Sequence, residues 1–399
     1  MISVEGASLF RHHIVCSILS KKTLTISQLH DDEEPVGIKP HEVNFLKFID
    51  RLTTGGKMQL TNYNTVLHFT PGMIVGGNFS HECPTTRSVS YYMEAALLLL
   101  PFAKYDSQIT FVGPTQAPCT TSHRSAEEGN SAPDSLYEDL SIDTLRTVSV
   151  RWLGLFGVQA KVRLIRRGAA PAGGGAVELQ VKAVRKLTSA IVKERGRVKR
   201  IRGIAYGCKV AADLPQRAAV AAKGVLLGVL PDVYIITDLD NGQAAQRVLQ
   251  QGQPKGNEAE DGSNKIAISG YGMVLVAETT SKLSVLSQEA EAGPQEAPEE
   301  VGQRAAYRLL DQLYEGGCVD SSHQLMVLLL MALSPDEVST VRLGPLTRSG
   351  VSALVLMESF FGVSCAIKQE DSFAGSHLPS STLVTCIGSN LINVSKKSS

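Results

Sequence analysis

The chain has 399 residues, 43% hydrophobic and 20% charged, which suits a globular protein of more than one domain with sizeable cores. Lys+Arg and Asp+Glu both number 39, so there is no net charge to coat RNA, and any RNA contact has to come from a local patch. The apolar runs 95–103 and 325–333 are too short to span a bilayer, and the start, Met1-Ile2-Ser3-Val4-Glu5, lacks the pattern of a secretory leader.

Predicted elements alternate between strand and helix. Val4-Glu5-Gly6 leads into a helix over 10–20, a short strand is expected over 26–30, and 41–53 is an amphipathic helix with Val43, Leu46, Ile49 and Leu52 at helical spacing. Residues 58–60 and 65–69 read as paired strands, 86–103 as an apolar helix, and 108–113 as a strand running into Gly113-Pro114-Thr115. The polar stretch 121–139 is expected to be a loop. A similar order follows, with a helix over 142–156 and two alternating strands, 160–165 and 177–181, around a Gly-rich turn. The recurrence suggests copies of one helix-and-strands unit.

Residues 185–297 read as an inserted module, with a strand over 205–212, a helix over 215–227 and a strand over 233–238. A further strand over 266–278 is expected to break at Gly270-Tyr271-Gly272, after a Gly-, Asn- and acid-rich loop at 250–264. The Ala-, Glu- and Pro-rich stretch 287–300 reads as an interdomain link. Helices over 301–315, 322–333 and 349–361 and a closing strand within 383–394 complete the chain. The expected fold class is therefore α/β. A large domain of repeated helix-and-sheet units, 1–184 and 298–399, carries a smaller inserted α/β domain, 185–297.

The seven cysteines, at 16, 83, 119, 208, 318, 365 and 386, show no Cys-x-x-Cys spacing. That pattern argues against a zinc site or a redox pair, so no metal is expected and idle thiols are the default.

The segment richest in chemistry is Arg166-Arg167-Gly168-Ala169-Ala170-Pro171-Ala172-Gly173-Gly174-Gly175. Two guanidinium groups enter a turn whose glycines let backbone N–H groups approach an anion closely. The ordinary alternative is an exposed hairpin with solvated arginines.

This segment resembles the Arg-x-Gly-x-x-Pro-x-Gly-Gly-Gly signature of the RNA 3′-terminal phosphate cyclase superfamily. Other motifs fall in that family's order. Gly37-Ile38-Lys39-Pro40-His41 resembles its Gly-Leu-Arg-Pro-Gln-His segment, one residue shorter, and Pro71-Gly72-Met73-Ile74-Val75-Gly76-Gly77 resembles its Pro-Gly-x-x-x-Gly-Gly. The run from Gly316-Gly317-Cys318-Val319-Asp320 to Leu330-Met331-Ala332-Leu333 resembles its closing helix region. The resemblance implies a large repeated domain with a smaller α/β insertion.

It also implies a reaction this sequence is not equipped for. Active members adenylate a histidine in a Ser-His-x-x-Thr-like segment leading into a helix ending Glu-x-Phe. The matching stretch here, Gly344-Pro345-Leu346-Thr347-Arg348-Ser349-Gly350-Val351-Ser352 ahead of Glu358 and Phe360, holds no histidine and puts Ser349 near the nucleophile position. A hydroxyl does not replace imidazole as an acceptor without an activating base. At the N-terminus, where active cyclases carry Glu-Gly-Gly-Gly-Gln-x-x-Arg, the chain reads Glu5-Gly6-Ala7-Ser8-Leu9-Phe10-Arg11. Cys83-Pro84-Thr85-Thr86-Arg87-Ser88 stands for their Ile-Gly-Thr-Ala-Gly-Ser, so bulky Arg87 replaces a small glycine.

Retained scaffold motifs with a missing nucleophile resemble the non-catalytic, ribosome-biogenesis branch. What that branch implies is a pseudoenzyme of the nucleus and nucleolus. It would need no cofactor, would bind a ribosome-assembly GTPase and other processome proteins, and pre-rRNA would be a possible further partner. A pre-rRNA endonuclease using the former cyclase cleft is the alternative. Arg11, Lys39, Arg166 and Arg167, with Gly173, Gly174 and Gly175, are the candidate anion or RNA site, against an ordinary reading as separate surface cations. Lys193, Arg195, Arg197, Lys199, Arg200 and Arg202 form a basic patch suited to RNA phosphates, nuclear import or an acidic partner, without the aromatics that stack bases. His323 reads as a helix-face histidine, and sequence proximity alone gives little support to a hydrolytic cluster with Asp320 and Cys318.

Overall fold

The computed structural model describes residues 1–116, 139–170, 173–240, 270–293, 295–370 and 380–396. The expected loop at 121–139 therefore lies outside the described residues except for Asp139, and so do Cys119, Pro171, Ala172 and the loop at 250–264.

One supersecondary unit is written three times. The first contains β1 (Ile2–Glu5), α1 (Phe10–Ser20), β2 (Leu24–Ser27), α2 (Pro40–Leu52), a two-residue β3 (Thr53–Thr54), β4 (Lys57–Thr61) and β5 (Val66–Thr70), with β6 (Met73–Ile74) pairing with β3. Its sheet order is β1-β2-β5-β4, with β1 and β2 parallel and the remaining pairs antiparallel. The second contains β7 (Asn78–Glu82), α3 (Ser90–Leu99), β8 (Ser107–Gly113), α4 (Ile142–Thr144) running through a π turn into α5 (Val150–Leu155), β9 (Ala160–Arg166) and β10 (Gly175–Val181). Its order is β7-β8-β10-β9, again with only the first pair parallel.

The third unit opens with β11 (Ile191–Val192) and is interrupted at once. The inserted elements are β12 (Val198–Cys208), α6 (Asp213–Leu227), β13 (Val233–Asp240), β14 (Gly270–Thr279), β15 (Val285–Glu291) and α7 (Pro298–Glu315). The unit then resumes with α8 (Gln324–Leu333), β16 (Val338–Leu343), α9 (Arg348–Leu356), β17 (Cys365–Glu370) and β18 (Ser381–Ile387), in the order β11-β16-β18-β17. The insertion thus sits in the parallel crossover between β11 and β16, a connection that must be long in any case.

The sequence explains these elements locally. Lys39 is extended and Pro40 starts α2, where a missing N–H costs nothing, while the Glu42 carboxylate accepts from the Lys39 N–H at 2.8 Å. Every residue of α3 and α8 is buried, which is why these helices are apolar around their whole circumference. They lie in one continuous core that also takes Tyr206, Val274, Val276 and Val285 from one face of the inserted sheet. The other face, with Ile201, Ala205, Met273 and Leu275, packs under α6 and α7 through Ala218, Ala222, Val301, Ala305 and Leu309. The expected end of the insertion at 297 falls just before α7, whose apolar stripe covers this sheet.

Several local expectations need correction. The stretch 287–300 is no simple link, because it carries most of strand β15, whose Leu286 and Ala290 point into the inserted core. Residues 266–269 of the expected strand lie outside the described residues, and Gly270-Tyr271-Gly272 runs within β14 without a break, with Gly272 packed so closely that a Cβ would come within 2.5 Å of the Tyr206 hydroxyl. The second strand ends at Ser27, because Gln28 and His30 turn to positive φ. Strand β12 starts at Val198, so part of the basic run is sheet edge to edge with its neighbours.

Candidate functional site

The Gly-rich turn is a packing device. Gly168 and Gly175 pass so closely that a Cβ on Gly168 would sit 2.1 Å from the Gly175 nitrogen. Gly173 and Gly174 adopt φ of 66° and 80°, the left-handed region that favours glycine. The Gly168 N–H donates to Thr115 Oγ1 at 3.2 Å and the Gly173 N–H to the Ala169 carbonyl at 2.8 Å. Two of the backbone donors expected to meet an anion are therefore used within the protein. The turn reaches Thr85 on one side and the first residue of β14 on the other, since Cβ atoms built on Gly173 and Gly270 meet Thr85 and Ala169.

Arg11 lies on α1 and Lys39 caps the start of α2. Arg11 is 3% exposed, donates to the Tyr91 carbonyl at 3.0 Å, pairs with the Glu94 carboxylate and lies 3.6 Å from Asp139. Its guanidinium stands 4.7 Å from the Tyr91 ring centre, and that of Arg87 stands 4.8 Å away. Arg87 is also paired with Asp139 at 3.0 Å. His41 meets the same ring edge-on at 5.6 Å. Two cations thus embrace one aromatic ring, each answered by a buried carboxylate. Burial raises the proton affinities of Glu94 and Asp139, and the guanidinium groups oppose it. Burial, then the positive charge of Arg87, His30 and Lys39, pushes His41 down to about 3. Lys39 bonds to Glu33, which also accepts from His30.

Arg167 does not join this group. It is buried and clamped by Asp143 at 2.7 and 3.2 Å and by Asp238 at 2.6 Å, over the ring of Tyr206 at 4.9 Å. Its backbone N–H donates to Asp240 at 2.7 Å. Asp143 belongs to the second unit, whereas Tyr206, Asp238 and Asp240 belong to the insertion, so Arg167 ties the two together. Arg166 next to it is half-buried.

The junction continues as a polar seam that the sequence did not reveal. Glu289 on β15 accepts from the Ser141 N–H at 3.1 Å and from the Ser141 and Thr144 hydroxyls at 2.6 Å each, at the N-terminus of α4. Asp320 accepts from the Ser287 N–H and hydroxyl at 2.9 Å each and from His323 Nδ1 at 2.6 Å. His323 Nε2 lies 2.8 Å from Ser149 Oγ. Asp320, His323 and Ser149 are each 0% exposed. This chain of groups has the order of a catalytic relay, yet it is closed to solvent and joins three elements. Burial lowers the His323 proton affinity, but Asp320, Glu94 and Glu289 outweigh it and raise it.

Ser349 sits in the first turn of α9. Its hydroxyl lies 2.8 Å from Thr347 Oγ1, which accepts from the Gly350 N–H at 3.0 Å as the helix cap. No histidine is hydrogen-bonded to it among the described residues. In the basic run, Arg200 pairs with Glu278, Arg202 with Asp232, and Arg195 donates to the Leu313 carbonyl. Lys193, Arg197 and Lys199 are exposed and have no ion pair among the described residues. No group of three or more His, Cys, Asp or Glu side chains is placed to hold a metal ion among the described residues.

Three four-stranded units with an α/β module in the third crossover agree with the large repeated domain and smaller α/β insertion that the resemblance to RNA 3′-terminal phosphate cyclases implies. The family model for RNA 3′-terminal phosphate cyclase matches residues 2–129, and that for its insert domain matches 193–314. The chain is 33% identical over 413 aligned residues to a probable RNA 3′-terminal phosphate cyclase-like protein of Dictyostelium discoideum, covering 99% of both chains. It is 31% identical to the RNA 3′-terminal phosphate cyclase-like protein of Mus musculus, covering 99% of this chain and 97% of the other. To the rRNA processing protein rcl1 of Schizosaccharomyces pombe it is 30% identical, covering 98% and 97%. The chain belongs to the RNA 3′-terminal phosphate cyclase-like family.

Proposed function

We propose that this protein is a cyclase scaffold without cyclase activity that serves pre-rRNA processing and small ribosomal subunit assembly in the nucleolus. It acts by binding, with a ribosome-assembly GTPase and other processome proteins as partners and pre-rRNA held through exposed cations. The processing role is supported by the Schizosaccharomyces pombe relative, which is named an rRNA processing protein.

The observation that carries the non-cyclase reading is the Arg87–Asp139 pair across Tyr91. The resemblance places a small glycine where Arg87 stands and the adenylated histidine where Ser349 stands. Here the first position is filled by a guanidinium held in place, and the second is a hydroxyl engaged at a helix cap with no base bonded to it among the described residues. Pure protein, incubated with labelled ATP and an RNA ending in a 3′-phosphate beside an active cyclase, is expected to yield neither adenylated protein nor cyclised RNA. Either product overturns the reading. For the partner half, the tagged full chain is expected to co-purify a GTP-binding protein together with pre-rRNA, and recovery of neither refutes it.

A further inference from the structure

The cysteines look idle in sequence because no two are close, but the third sheet brings two together. In the antiparallel pairing of β17 with β18, Cys365 lies directly opposite Cys386. Directly opposed residues have Cα atoms about 4.5–5.5 Å apart, inside the window of about 4.4–6.8 Å that a disulfide requires. Among the described residues, strand β17 is the edge of its sheet and pairs with β18.

We propose that Cys365 and Cys386 are a redox-responsive dithiol that closes to a cross-strand disulfide on exposure to hydrogen peroxide. Cys365 is the half-exposed member and meets the oxidant, whereas Cys386 is buried behind it. The Cys365 thiolate attacks the peroxide oxygen, the O–O bond breaks, and a sulfenic acid and hydroxide form. Cys386 then attacks that sulfur, its proton leaves with the displaced hydroxyl as water, and the S–S bond forms. Two thiols lose two electrons, and one peroxide is reduced to two waters.

The surroundings favour this order of events. The Cys386 thiol hydrogen-bonds to Cys365 and lowers its proton affinity, while the same bond and burial raise that of Cys386. The other described cysteines, Cys16, Cys83, Cys208 and Cys318, are buried, and burial raises each thiol, Cys318 to about 11. Among the described cysteines, reactivity is thereby confined to one pair.

The test is peroxide treatment of the native full chain, alkylation of remaining thiols, and peptide mass spectrometry. The expected product is a Cys365–Cys386 cross-linked peptide, reversed by dithiothreitol, while Cys16, Cys83, Cys208 and Cys318 react only after unfolding. A second measurement uses Cys386→Ser, in which Cys365 is expected to stop as a dimedone-reactive sulfenic acid. Should that variant misfold, Cys365→Ser changes only the half-exposed strand end and is expected to remove the fastest thiol, lowering the native reaction rate with a disulfide reagent by about tenfold. The proposal is overturned if Cys365 advances to sulfinic acid with Cys386 still reduced. It also fails if Cys365 reacts no faster than the buried thiols, or if it cross-links to another cysteine.

Discussion

Replacing Arg167 with methionine is the most direct test of how the insertion is held. The substitution keeps a long apolar stem over Tyr206 but removes three charge-assisted hydrogen bonds, two to Asp143 and one to Asp238. The Asp143 carboxylate is 1% exposed, so it would be left largely uncompensated. Breaking a buried pair in this way costs about 3–5 kcal/mol. Two facts pull the figure to the lower end. Arg146 remains on Asp143 at 2.5 Å, and the Asp238 side chain is 40% exposed, where solvent screens the loss. The expected destabilisation is therefore about 3 kcal/mol, read as a fall in urea midpoint at unchanged slope. Hydrogen exchange should rise first in β12 and β13. The double variant Arg167→Met with Asp143→Asn removes the orphaned charge and should recover at least about 1 kcal/mol. A loss under about 1 kcal/mol in the single variant, or no recovery in the double, refutes the view that this pair clamps the insertion.

Three further outcomes follow from the same geometry. The folded His41 titrates near 3, below its ordinary 6.5, so its neutral form is the one the fold favours. Its contribution is present above pH 6.5 and is lost as pH falls towards 3. The stability of His41→Asn, followed by urea unfolding between those limits, should fall less steeply than that of the unmodified chain, and parallel curves would count against it. Ser349→His places an imidazole at the position proposed to lack the nucleophile but leaves Arg87 in place, and labelled ATP is expected to leave no covalent adenylate; a labelled variant would count against the proposed role of Arg87 in blocking that site. Converting Lys193, Arg197 and Lys199 to alanine should weaken single-stranded RNA binding and reduce its salt slope by about 2, from roughly 0.7 per lost phosphate contact. Unchanged binding in that triple variant would place any RNA contact elsewhere.

The repeated unit was legible because each copy writes its helices and strands with the periods that burial imposes. The hairpin 160–166 and 175–181 alternates, and α2 carries an apolar stripe. What could not be read were contacts made by topology. Asp143, Asp238 and Glu289 look like ordinary solvated acids in sequence, yet the fold brings them to Arg167 and to the first turn of α4. Cys365 and Cys386 are likewise joined only by strand register. The basic run misled in the opposite direction, because sequence showed its charge but not that Glu278 and Asp232 stand across the sheet from two of its arginines. The link expected at 287–300 failed because alternating Ser, Gln and Glu resemble a linker when the apolar members, Leu286 and Ala290, are few and small.

Three of the four cations that drew attention as an anion site, Arg11, Lys39 and Arg167, are paired with carboxylates, as is Arg87, whereas Arg166 Nε is buried without a hydrogen-bond partner among the described residues. Arg11 is answered by Glu94 and Asp139, Arg87 by Asp139, Lys39 by Glu33, and Arg167 by Asp143 and Asp238. An open phosphate site keeps its guanidinium forks unspent until the ligand arrives. Here carboxylates of the same chain balance the charge of Arg11, Lys39, Arg87 and Arg167. Such buried pairs add little net stability over apolar packing, but removing either partner is costly. They therefore fix the relative positions of the elements they join. Arg167 and Glu289 join the second unit to the insertion, and Asp320 joins the insertion to the third unit through Ser287. Paired in this way, the cations hold elements of the fold together, which supports the binding role proposed above.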